Sequence, residues 1–174
     1  MERFSARLIA LMAVMSALGN VLGFLSVRLP SAPGTTVEFH LSALPALLLA
    51  ISIGPLAGAV TGALSLVVAT LQIGNVFIPF GNAILAIIAG VCSSKLKFSP
   101  PVSAVLGEAA EAPYIWVTCM IYGVPQSIIA FIIVKAFIEV LISGVIVELV
   151  LRSPLIRGFL AKFKSEMGKP HLQQ

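Results

Sequence analysis

Residues 126–151 read QSIIAFIIVKAFIEVLISGVIVELVL and carry only three charges, Lys135, Glu139 and Glu148. As a helix at ~1.5 Å per residue this stretch is about 39 Å long, more than the ~30 Å hydrocarbon core of a bilayer. It reads as a membrane span. Five further apolar runs precede it, over about 8–27, 41–53, 56–71, 77–91 and 101–121. The breaks between them are rich in Pro, Gly, Asn and Ser, which punctuate helices. The run at 41–53 is short for a crossing, and Gly54-Pro55 after it reads as either a loop or a kink. The expectation is an all-α integral membrane protein, a single bundle of six transmembrane helices over 1–152 with a basic tail over 153–174.

Composition agrees with this reading. The 174 residues are 59% hydrophobic and 10% charged, with a mean hydropathy of +1.07. A soluble domain carries about 25% charged residues, so a soluble enzyme, a nucleic-acid-binding domain and a disordered chain are poor readings. The start is basic, but its apolar run has spanning length rather than the 7–15 residues of a signal-peptide core, so it reads as the first helix.

The net charge of +4 is a topology signal. With six spans, Arg3, Arg7, Lys95, Lys97, Arg152, Arg157, Lys162, Lys164 and Lys169 fall on one side and only Arg28 on the other. Positive residues stay inside, which predicts cytoplasmic termini. The tail mixes apolar and basic residues over 155–163 and is expected along the inner interface of the bilayer. No nucleic-acid partner is expected.

Cys92 and Cys119 fall in separate runs at opposite ends of their helices, so no disulfide is expected. There is no CxxC or Cys/His cluster, no Walker A motif, no HExxH and no GxSxG. No metal, cofactor or catalytic residue is therefore expected, and the chain is not expected to hydrolyse ATP by the Walker A route.

Three constellations remain. Ala6, Ala10, Ala13 and Ala17 share one face of the first helix, and Gly54, Gly58 and Gly62 share one face of the third. Small faces of this kind let helix backbones approach closely in lipid. Glu108, Glu111, Lys135 and Glu139 lie inside the spans, where charges need partners. Glu111 and Lys135 each fall about 15 Å from a membrane face by helical rise. They are expected to form an ion pair, with Glu139, one turn from Lys135, as the alternative partner. That pair is either structural or leaves Lys135 to reach a polar ligand. Glu38, His40, Asn75, Asn82, Tyr114, Trp116, Tyr122 and Gln126 converge on the outer half and, with Lys135, are candidate substrate-binding residues. Trp116 and Tyr122 also suit an interfacial aromatic belt, and His40 suits either a structural role or a pH-sensitive contact. Pro79 and Gly81 are expected to loosen the helix start beside Asn82.

The AxxxA face (Ala6/Ala10, Ala13/Ala17), the stretch 41–48 (LSALPALL) followed by 54–59 (GPLAGA), 81–85 (GNAIL) with Gly90, and 134–139 (VKAFIE) together resemble the substrate-binding S component of an energy-coupling factor (ECF) vitamin transporter. The resemblance covers about residues 3–152. It implies high-affinity binding of a vitamin in the outer half and docking through Ala6, Ala10, Ala13 and Ala17 onto a membrane T component. It implies energy from two ATPase subunits and toppling of the S component within the membrane. The 41–47 stretch and the sixth-helix Lys are most similar to riboflavin members, which carry Asp after the Ser and Asn three residues before the Lys. This chain has Ala43 and Ile132 there. A thiamine precursor or another vitamin is the alternative ligand. A membrane-embedded enzyme using Glu108 and Glu111, or a transporter that works without partners, are the alternative functions.

Overall fold

The computed structural model describes residues 5–32 and 35–167. Helix α1 (Ala6–Phe24) leads into a β-hairpin, β1 (Val27–Ala32) and β2 (Thr35–Phe39). Then follow α2 (Leu44–Ser52), α3 (Pro55–Ser65), α4 (Val67–Ile73), α5 (Ile78–Lys95), α6 (Pro100–Ile121), α7 (Gln126–Arg152) and α8 (Pro154–Met167). Four stretches are long and apolar enough to cross a membrane: α1, α3 with α4 taken together, α5 and α7. Helix α6 has the length, with 22 residues, but carries Glu108 and Glu111. Helix α2 has nine residues and spans only about 14 Å.

The chain is mostly helical, as expected of an all-α membrane protein, and carries one β-hairpin besides. The apolar run that begins at Leu8 stops being helical at Phe24, and Val27 pairs with Phe39 across an antiparallel ladder. Val27, Val37, Thr35 and Thr36 are β-branched and suit a strand. Pro30 has no N–H for the ladder, and the register slips between Pro30 and Ala32.

Helix α2 is short yet central. Leu49 and Ile53 pack with Leu8 and Met12 of α1, Ala57 of α3 and Leu160 of α8. On its other side Leu47 packs with Leu85, Ala89, Ala104, Val140 and Val147. Small residues bring the surrounding backbones close. A Cβ at Gly58 would collide with the backbone of Ala50, and one at Gly62 would lie 2.9 Å from the carbonyl oxygen of Asn82. The glycine face of the third run is therefore spent on packing α3 against α2 and α5.

The break between α3 and α4 at Leu66 involves no Pro or Gly. Asn20 of α1 causes it. Its Nδ2 donates to the Leu64 carbonyl (2.8 Å), and its Oδ1 accepts from the Val68 N–H (3.0 Å). Those two backbone groups are the i and i+4 partners of one helical hydrogen bond. The Asn20 amide stands in for that bond, which is one recognised cause of a kink.

The described basic residues gather at one end of the bundle. Arg7 begins α1, Lys95 ends α5, Lys97 follows it, Arg152 ends α7, and Arg157, Lys162 and Lys164 lie on α8. Arg28 sits on the hairpin at the other end. Arg3 and Lys169 lie outside the described residues. The tail is not simply an interfacial segment: α8 buries Leu160 against α1 and α2, while Leu155 and Phe159 remain exposed.

Candidate functional site

The chain between β2 and α2 does not run over the surface. The His40 N–H donates to Oε1 of Glu139. Glu139 is 13 residues into α7, about 20 Å from its start. The 40–43 connector thus reaches deep into the bundle, which is why α2 is short. Non-helical backbone at such depth survives only where protein or a cavity satisfies it.

Above this connector lies a cavity of about 860 Å³ at the hairpin end. That is within the ~300–1,000 Å³ of small-molecule sites. Its floor is charged. Lys135 forms an ion pair with Glu139 (Nζ–Oε2 2.9 Å) and donates to the Glu38 carbonyl (2.9 Å). At the mouth Arg28 pairs with Glu38 at 3.4 Å. The His40 ring lies with Nδ1 2.9 Å from Ser42 Oγ and 4.0 Å from Glu139 Oε1.

Of the candidate substrate-binding residues, Glu38, His40, Asn75, Asn82, Tyr114, Tyr122 and Lys135 line this cavity. Several are already engaged. Asn82 is buried and donates from Nδ2 to the Gly62 carbonyl (2.9 Å), tying α5 to α3. Asn75 Oδ1 accepts from the Phe77 N–H at the start of α5. The Tyr114 hydroxyl donates to the Phe77 carbonyl (3.1 Å), and that of Tyr122 to the Gly74 carbonyl (3.2 Å). Phe77 and Tyr122 stack edge to face. Together these contacts hold the α4–α5 turn against α6.

The remaining candidates are placed differently. Trp116 and Gln126 are not among the residues that line the cavity. Lys135 does not pair with Glu111, because Glu139 is one turn away on the same helix and within reach. The start of α5 is not loosened: Pro79 occupies its first turn, where no N–H is needed, and Gly81 is buried. Asn20, Ser42, Gln72 and Thr118 also line the cavity and were not among the candidates. Asn20, Gln72 and Ser42 belong to the α3–α4 break and the buried connector, neither of which has a local sequence signal.

On α1, Ala6, Ala10, Ala13 and Ala17 are exposed, opposite the buried Leu8, Met12, Ser16 and Gly19. Cys92 and Cys119 are both free thiols.

No family model and no curated protein matches the chain. Among solved structures it is similar to the S component of a bacterial ECF transporter, at 20% identity and a TM-score of 0.64. That alignment covers 88% of this chain and 97% of the other. At that identity the likeness establishes a shared fold.

Proposed function

We propose that the chain is the membrane-embedded binding subunit of an ECF-type transporter, taking up a small organic nutrient of vitamin size. The observation that carries this reading is the cavity of about 860 Å³ with a charged floor at the hairpin end, set in a fold shared with an S component. The cavity is large enough for one vitamin and has walls of mixed polarity, as binding pockets do. The exposed alanine face of α1 would dock onto a membrane T component, with two ATPase subunits supplying the energy. The basic end of the bundle would face the cytoplasm, making this a multi-pass cell-membrane protein with both termini inside. The resemblance at 41–48 and Lys135 makes riboflavin the lead ligand, with a thiamine precursor as the alternative.

The test is to purify the chain in mild detergent after growth in rich medium, denature it, and identify any released molecule by absorbance and mass spectrometry. A stoichiometric vitamin is expected. Chemical turnover of a small molecule by the purified chain, or uptake into liposomes holding this chain alone, would refute the reading.

A further inference from the structure

The cavity holds more acid than base. Its titratable lining includes four acids, Glu38, Glu108, Glu111 and Glu139, against the bases Arg28, His40 and Lys135. Arg28 answers Glu38, and Lys135 answers Glu139. Glu108 and Glu111 form no ion pair among the described residues. They stand three residues apart on α6 and so share a face.

Glu108 is 2% exposed, and its Oε1 accepts no hydrogen bond among the described residues. Buried polar atoms are almost always partnered, and an exception asks for an explanation. Room has also been made for the second carboxylate. A Cβ at Gly81 of α5 would lie 2.5 Å from Glu111 Oε1, so any other residue there would press on it. A bound metal does not account for the pair, since no three metal-ligating side chains converge among the described residues. What fits is a group that brings N–H donors and positive charge. An anionic ligand would be set against the two acids, and an apolar one would leave Glu108 Oε1 without a partner.

From this we infer that the cavity takes a small organic molecule bearing a cationic amine or amidine-type nitrogen, whose N–H groups are accepted by Glu108 and Glu111. The inference rests on the binding-subunit reading and narrows its ligand away from riboflavin, which is neutral.

The full chain in lipid nanodiscs is incubated with the small-molecule fraction of yeast extract, washed and denatured, and the retained compound is identified by mass spectrometry. The compound is expected to be held by a cation-exchange resin at pH 7. Its retention should fall about tenfold or more in Glu108→Gln and in Glu111→Gln, the effect of losing a charged hydrogen bond. Glu148→Gln, at the opposite end of α7, should retain it fully. Unliganded Glu108→Gln should melt no lower than the parent, because Glu108 Oε1 has no partner to lose. A neutral or anionic compound, or equal retention by both cavity variants, overturns the inference and leaves the binding-subunit reading standing. Retention of nothing by the parent protein overturns both.

Discussion

Replacing Lys135 by Met tests how the floor of the cavity is held together. Both side chains of the Lys135–Glu139 pair are about nine-tenths buried, and the pair is 2.9 Å long. Removing one member of a buried pair costs about 3–5 kcal/mol, because the other charge is left in a poor dielectric. Lys135→Met also deletes the hydrogen bond to the Glu38 carbonyl, worth about 1 kcal/mol. The His40 N–H still reaches Glu139 and offsets part of the loss, so a net destabilisation of about 4 kcal/mol is expected. For a chain of this size that lowers Tm by roughly 8–16 °C. In the double variant Lys135→Met with Glu139→Gln no charge is stranded, and the amide oxygen can still accept from His40. Most of the loss should return, leaving about 1 kcal/mol, so the double variant is expected to be about 3 kcal/mol more stable than Lys135→Met alone. Thermal unfolding of the four proteins in one detergent measures this cycle. Additive effects, with the double variant as damaged as the sum of the singles, would refute the view that Lys135 exists to compensate Glu139.

Asn20→Ala should cost about 2 kcal/mol by removing both hydrogen bonds at the α3–α4 break, and Asn20→Asp should do no better, because a carboxylate cannot donate to the Leu64 carbonyl. Unfolding midpoints of the two variants compare them directly. Gly58→Ala should destabilise by about 1–3 kcal/mol through overpacking against the Ala50 backbone, whereas Ala10→Gly on the exposed face of α1 should cost no more than ~1 kcal/mol; the same unfolding assay ranks them. Ala13→Trp should leave Tm unchanged and abolish co-purification with a T component, and retained co-purification would place docking on another face.

The long elements were legible because their signals are local. Pro100-Pro101 opens α6 and Tyr122-Gly123-Val124-Pro125 closes it, and α7 is one unbroken apolar run. The parts that shape the site were not legible, for the opposite reason. The kink at Leu66 is made by a side chain 46 residues earlier, so nothing near Leu66 announces it. A stretch dense in Pro, Gly and Ser at 30–34 reads as a loop, and only the β-branched residues on its flanks hint at a ladder. The aromatic candidates divide by rotation about α6. Tyr114 lines the cavity and bonds Phe77, whereas Trp116, two residues on, is not among the lining residues. A run boundary uncertain by even one residue shifts such an assignment by about 100° around the helix.

The hydrogen bond between the His40 N–H and Glu139 joins groups 99 residues apart. This separation bears on how the protein is made. While the ribosome has delivered only α1, the hairpin and α2, the 40–43 backbone has no partner for this N–H, and a nine-residue helix is too short to be inserted as an independent span. The N-terminal third can complete its membrane integration only after α7, the last long helix, has emerged and carried Glu139 to the middle of the bilayer. Nascent chains arrested before residue 139 should therefore leave a cysteine placed at Ser42 open to water-soluble thiol reagents, and chains released after α7 should protect it.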